Sequence, residues 1–157
     1  MRFVSRSQEQ TKIIARTLAE EILERPPNQK RALVLGLAGE LGSGKTTFSQ
    51  AFIRALGVKS RITSPTFLII KSYKAISHKA IRYKKIFHID AYRLHKSKEL
   101  LDLGFREIIT DPKNIALIEW ADKVRGILPK TELIWIWFRH GRQENERMIE
   151  FNRTQKR

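Results

Sequence analysis

Cysteine is absent from this chain, so neither a disulfide framework nor a thiolate metal site is possible. The four histidines, at positions 78, 88, 95 and 140, lack the HExxH spacing of a helical zinc site, which leaves oxygen as the ligand for any metal. Long apolar runs are missing too. No stretch approaches the roughly 20 residues needed to cross a bilayer, and the opening MRFVSRSQEQ has no apolar core of the kind a secretory leader carries. The expectation is a cytoplasmic protein with no membrane role. Acids are scarce beside bases: 16 Asp and Glu against 31 Lys and Arg, a formal charge of +15. That imbalance says nothing about fold, but it favours polyanionic neighbours such as nucleic acid.

What is present is enough apolar residue, 41% of 157, for one domain with a single core spanning 1–157. Ser7 with Gln10 forms a capping box. Ile14, Leu18 and Ile22 then recur at helical spacing until Pro26-Pro27, predicting a helix over about 8–24. RALVLGL, Arg31 to Leu37, is a short continuous apolar run bounded by glycine, as in a strand covered on both faces. A second helix is expected from Lys45 to Leu56, closed by Gly57. FLIIKSY (67–73) and KKIFHID (84–90) read as strands, and Ser97 opens a helix through KELLDLGF. NIALIEW (114–120) is a buried strand. TELIWIWF (131–138) and RMIEF (147–151), joined by GRQENE, form a closing hairpin before a basic tail at about 152–157. Strands alternating with helices predict a three-layer α/β domain: a largely parallel central sheet with an antiparallel hairpin portion.

The stretch GELGSGKTTF, Gly39 to Phe48, breaks this apolar patterning between the first long strand and the second helix. Gly39, Gly44, Lys45 and Thr46 fit GxxxxGK[ST], in the strand–loop–helix context that gives the motif its meaning. Glycines let the backbone amides turn inward around an anion, and the helix N-terminus adds its positive end. Lys45, expected on an exposed loop, would reach the β and γ phosphates, and the Thr46 hydroxyl would ligate Mg²⁺. The loop therefore predicts a P-loop NTPase domain binding a nucleoside triphosphate. Glu40 would repel phosphate and is expected to face outward.

A P-loop needs an acidic partner at the end of a neighbouring strand. Asp90 ends KIFHID and Glu119 ends IALIE, and either could serve the metal or the attacking water. Thr66, in the SPT loop of 64–66, is positioned as a switch threonine would be. His88, two residues before Asp90, would orient it or simply pack. Trp135 and Trp137 share one strand face and read as packing, and Arg93 reads as a salt-bridge partner.

In order along the chain, GELGSGKTTF, SPTF, HIDAYRL (88–94), DLGF (102–105) and LIEW (117–120) together resemble the TsaE family, over about Thr11 to Phe138. HxDxYRL followed by LGF and IEW carries far more specificity than the P-loop alone. The resemblance implies a small cytoplasmic ATPase of bacterial threonylcarbamoyladenosine biosynthesis, acting with partner proteins TsaD and TsaB in modifying an adenosine beside the tRNA anticodon. It would not transfer the group itself, and its productive turnover would depend on those partners. It further implies ATP and Mg²⁺ as ligands. The phosphate-binding set is then Gly39, Leu41, Gly42, Ser43, Gly44, Lys45, Thr46 and Thr47, with metal at Thr46 and Glu119. Asp90, with Lys45, would be catalytic or switching, and Trp120 matches the family's tryptophan. Two departures stand out: Ala121 replaces the proline that often follows IEW, and the connection SYKAISHKAIRYKK is long and basic.

Three other classes share the P-loop. A small-molecule or nucleotide kinase would bring an arginine-rich lid, which the sequence does not display, and a GTPase would carry NKxD, which is absent. A non-hydrolysing binding module is separable only by phosphate release. From Lys71 to Lys98 nine Lys or Arg (71, 74, 79, 82, 84, 85, 93, 96, 98) face Asp90 as the single acid. Such a segment is either a solvated face or a contact for tRNA.

Overall fold

The computed structural model describes residues 1–25, 28–75 and 83–153. Seven strands form one sheet in the order β1-β7-β6-β2-β5-β4-β3. Its centre is parallel: β4 (Lys85–Asp90), β5 (Asn114–Glu119), β2 (Leu33–Gly39) and β6 (Leu133–His140) all point the same way. Antiparallel strands finish both sides, β3 (Ile70–Lys74) beside β4, and β7 (Arg147–Arg153) beside β6 with β1 (Arg2–Ser5) outside it. The middle strands are buried along nearly their whole length, which is why β2 and β5 read as unbroken apolar runs instead of alternating ones.

Two helical layers provide that cover. On one face α1 (Gln8–Glu24) and α2 (Lys45–Ala55) pack Leu18, Ile22, Phe48 and Phe52 against Leu35, Leu37, Leu117 and Ile136. On the other, α3 (Ser97–Asp102), α4 (Phe105–Thr110) and a 3-10 helix (Ala121–Ile127) bring Leu100, Phe105 and Val124 onto Val34, Ala38, Ile89 and Ile118. The three-layer α/β expectation holds. Among the described residues no helix is long and apolar enough to cross a membrane.

Several boundaries move. The strand expected at 67–73 begins only at Ile70, because Leu68 and Ile69 both donate to the Pro65 carbonyl (3.0 and 2.8 Å) and close a turn that leaves Phe67 and Leu68 exposed. The helix expected through DLGF is two helices, since Gly104 takes a left-handed conformation (φ 86) between them. Trp120 lies beyond the end of β5, and Ala121, in the proline position, starts the 3-10 helix fully buried. β2 runs two residues later than expected and ends on Gly39. Asn152 and Arg153, assigned to a tail, belong to β7, while 154–157 lie outside the described residues. So do Pro26 and Pro27, and Lys79 and Arg82 of the basic connection.

Candidate functional site

Four parallel strands end together at one edge of the sheet, and the loop after β2 crosses that edge into α2. Gly39 holds the crossing. Its φ is 145, and a Cβ there would lie 2.2 Å from the Phe138 carbonyl oxygen on β6, so no side chain fits. Lys45 is not on an exposed loop, as its sequence position suggested. It is the first residue of α2 and only 5% exposed. Its Nζ donates to the carbonyls of Gly39 and Glu40 (2.7 Å each) and to Ser43 Oγ (3.3 Å), while the Trp120 ring covers it at 4.0 Å. A loop that turns its amides toward an anion leaves carbonyls pointing elsewhere, and the ammonium satisfies them. Burial pulls the Lys45 ammonium below its ordinary value, against Glu119, Asp122, Asp90 and Glu40, which act to raise it.

The two candidate carboxylates meet here by register. Asp90 and Glu119 are partners across β4 and β5, on the sheet face that α2 covers. Thr46 Oγ1 donates to Glu119 Oε2 at 2.8 Å, and His88 Nε2 donates to Glu119 Oε1 at 2.7 Å. His88, considered as an orienter of Asp90, is therefore bonded to Glu119. It is fully buried, and its Nδ1 has no partner among the described residues. Burial pushes the Glu119 carboxyl up, but the bonds from His88 and Thr46 outweigh it and hold the group below the ordinary glutamate range. Asp90 is held differently, with Oδ1 accepting from the Tyr92 backbone N–H at 2.9 Å.

Two strained residues frame the carboxylates. Trp120 has φ 58, a conformation that costs a bulky residue about 1–3 kcal/mol, and its ring is held between Lys45 and Tyr92 (ring centroids 5.0 Å apart). Ile69, β-branched at φ 61, accepts from the Asp90 N–H at 2.9 Å and so ties the SPTF turn to the end of β4. The Arg93 guanidinium stacks on Phe67 at 4.8 Å, strapping the same turn from outside, and forms no ion pair among the described residues. Glu40 stands 79% exposed beside His140 (3.7 Å), directed away from the loop's interior. Trp135 and Trp137 stack on each other at 5.5 Å and take no part in the site.

Leu41, Gly42, Ser43, Gly44, Lys45, Thr46 and Thr47 line a single cavity of about 430 Å³ together with Thr66, Asp90, Glu119 and Trp120. Gln8 and Tyr92 also line it, and Gln8 was not singled out from sequence. Only Gly39, which ends β2, does not reach the cavity. The donor set suits a hard cation: a hydroxyl and a carboxylate oxygen lie side by side, and no group of three His, Asp or Glu among the described residues could cage a metal alone. Mg²⁺ binds in this manner, through one or two protein oxygens, several waters and substrate phosphates. A second hollow of about 340 Å³ shares Gln8, Gly42, Gly44 and Thr47 and extends to Arg6, Thr11, Asn145 and Arg147.

Known proteins are similar to this chain over most of its length. The family model described as "Threonylcarbamoyl adenosine biosynthesis protein TsaE" covers residues 5–149. A protein of Treponema pallidum named "tRNA threonylcarbamoyladenosine biosynthesis protein TsaE" is 33% identical over 132 residues, 83% of this chain and 85% of its own length. The proteins of the same name from Bacillus subtilis and Haemophilus influenzae are 37% and 34% identical over 72% and 67% of this chain. There the match spans only 66% and 62% of the relative's length. The crystal structure of Bacillus subtilis YdiB superposes with a TM-score of 0.68 at 28% identity, over 99% of this chain and 86% of YdiB. A family model that matches residues 5–149, with a relative 33% identical over most of both chains, shows that the chain belongs to the TsaE family.

Proposed function

We propose that this protein binds ATP with Mg²⁺ at the loop following β2 and hydrolyses it in support of tRNA threonylcarbamoyladenosine formation, a pathway named in its relatives. The observation that carries this reading is the contact between Thr46 and Glu119, with Asp90 beside them in one cavity. The loop amides and the start of α2 receive the phosphates, and Lys45 exchanges its bonds to the Gly39 and Glu40 carbonyls for phosphate oxygens. Thr46 and Glu119 hold the cation, with His88 fixing the carboxylate. When bound, Mg²⁺ neutralises the charge that develops on the phosphates. Asp90, spared from that network, orients the attacking water and accepts its proton, and Thr66 reports the γ-phosphate to the SPTF turn.

The adjoining hollow, floored by Thr11 and walled by Arg6, Asn145 and Arg147, receives the nucleoside. That gives β1 and the β6–β7 hairpin a reason to close over the loop. Turnover is coupled to partner proteins of the TsaD and TsaB kind in the cytoplasm. Phosphate release by the purified chain, with and without Mg²⁺ and then with those partners and tRNA, tests the reading. Release that rises with Mg²⁺ and partners supports it. Phosphate transferred to a small acceptor would make the protein a kinase, and ATP binding without phosphate release in any mixture would make it a binding module.

A further inference from the structure

From Leu41 to Ile89 the sequence contains ten Lys or Arg and no acid. The fold divides this charge. Lys45 enters the phosphate site, whereas Lys74, Lys84 and Lys85 lie at the opposite end of the sheet, where β4 begins and β3 ends. Other segments are fastened to that end: the Lys84 N–H donates to the Lys113 carbonyl (2.7 Å), Gln29 Nε2 to the Pro112 carbonyl (2.9 Å), and the Ala32 N–H to the Ile109 carbonyl (3.0 Å). Lys30, Arg31, Lys74, Lys84, Lys85 and Lys113 thereby become one exposed surface. It spans three strand spacings, about 15 Å, a length over which a duplex presents several phosphates.

None of the six pairs with a carboxylate among the described residues. The acids at this end include Asp111, whose Oδ1 accepts the Lys113 N–H, Glu132 in the turn before β6, and Glu24, the exposed last residue of α1. Lys74 and Lys85 are set directly opposite each other. Because Ala75 bonds to Lys84, the 74–85 pair is the non-hydrogen-bonded kind, in which side chains approach most closely and like charges cost stability. Lysine on an edge strand guards against edge pairing, which accounts for Lys74 on β3. It does not account for Lys30, Arg31, Lys84 or Lys113, which are not on an edge strand.

We infer that this end of the sheet, opposite the nucleotide site, docks the phosphate backbone of folded RNA. Protein interfaces have apolar centres and are poor in lysine, and membrane-surface binding needs apolar side chains to insert. Among the described residues the exposed large apolar ones are Met1, Phe3, Val4, Ile13, Leu41, Phe67, Leu68, Tyr92 and Leu103, and none belongs to these segments. Tyr73 and Tyr83, the aromatics nearest the patch in sequence, are buried, so among the described residues of the patch bases find no exposed aromatic ring and the backbone is what is recognised. Choosing RNA over other polyanions rests on the proposed function, but nucleotide hydrolysis has no part in the inference.

The test is fluorescence anisotropy of labelled, transcribed tRNA with the full chain, from about 50 to 300 mM KCl and without nucleotide. Changing Lys74, Lys84, Lys85 and Lys113 together to Gln is expected to weaken binding at least about tenfold at 100 mM salt. It should also make the slope of log affinity on log salt shallower by about 3. The same four positions changed to Arg keep binding, as does ATP affinity in the Gln variant, which reports an intact fold. Removing equal charge elsewhere, with Arg2, Lys12, Lys96 and Arg139 changed to Gln, is expected to leave affinity within about threefold. An equal loss in that second variant, or none in the first, overturns the inference. So does displacement of tRNA by polyglutamate or anionic vesicles as readily as by unlabelled tRNA. A protein that binds tRNA in this way but releases no phosphate would keep the inference and lose the proposed enzyme.

Discussion

The two ends of one parallel sheet use charge in opposite ways. Where β2, β4 and β5 finish, Lys45, Asp90 and Glu119 are withdrawn from water, and each is bonded to a named partner. Where the same strands begin, Lys84, Lys85 and Lys113 stand exposed without an ion pair among the described residues. Desolvation makes the difference. A buried charge is tolerable only while its partners are in place, so single substitutions there have large effects. An exposed charge is worth little alone and acts only in sum with others.

Breaking the buried end at its centre has the largest expected effect. Lys45→Ala removes the cation for the phosphates and strands the Gly39 and Glu40 carbonyls, so Mg·ATP affinity measured calorimetrically should fall at least about 100-fold. The variant should remain folded and lose about 1–3 kcal/mol in denaturant. Unchanged affinity would remove the nucleotide assignment altogether.

The acids should separate next. Asp90→Asn is expected to keep nucleotide affinity within about threefold and to lower turnover about 100-fold or more, since a neutral amide cannot take a proton from water. Glu119→Gln should instead weaken ATP binding about tenfold or more in Mg²⁺ and leave it unchanged in EDTA. The reverse pattern would exchange their roles. Because the folded Glu119 carboxyl lies below its ordinary value, it stabilises the fold at pH above the unfolded value. That contribution disappears as pH falls through the ordinary glutamate range toward the folded value. Denaturation in the absence of metal should therefore show a steeper acid loss for the wild type than for Glu119→Gln.

Position matters as much as charge at this end. His88 touches Glu119 and no other polar group among the described residues, so it acts through that carboxylate. His88→Ala is expected to raise the Mg²⁺ concentration needed for half-maximal ATP binding about 10-fold, in line with other partners that orient metal-binding groups. His88→Gln, which restores a donor, should recover part of it. Equal behaviour of the two variants would reduce His88 to packing.

What could be read from sequence divides by how local its cause is. The bounds of α1 were legible because Ser7 accepts the Gln10 N–H at 3.1 Å, the Gln10 side chain reaches back to Arg6, and the apolar spacing follows. The loop from β2 into α2 was legible because its glycines break an apolar run just before a helix begins. β1 was not, since the only strand it pairs with is β7 at the far end of the sequence. The exposure of Phe67 and Leu68 follows from a turn on the Pro65 carbonyl, which an apolar run cannot reveal. Which acid faces Thr46 depends on the register between β4 and β5 and on the placement of α2, both tertiary. The H-x-D spacing did put His88 and Asp90 on one face, but only the pairing of Asp90 with Glu119 explains why the imidazole reaches the neighbouring strand's carboxylate.

At the exposed end a single change should be small and of opposite sign. Lys74→Glu converts a like-charge cross-strand pair with Lys85 into an opposite-charge one, in the register where side chains lie closest. Both side chains are exposed, so nothing is desolvated and no packing is lost. The variant is expected to be about 0.2–1 kcal/mol more stable than the wild type in urea at low salt, with the gain shrinking as salt screens the pair. The same substitution replaces a cation of the basic surface with an anion, so tRNA affinity should fall while stability rises. That divergence would mark Lys74 as retained for contact at the expense of stability. If stability did not rise at low salt, repulsion between Lys74 and Lys85 would not be a cost the fold bears, and the contrast between the two ends would rest on the RNA measurements alone.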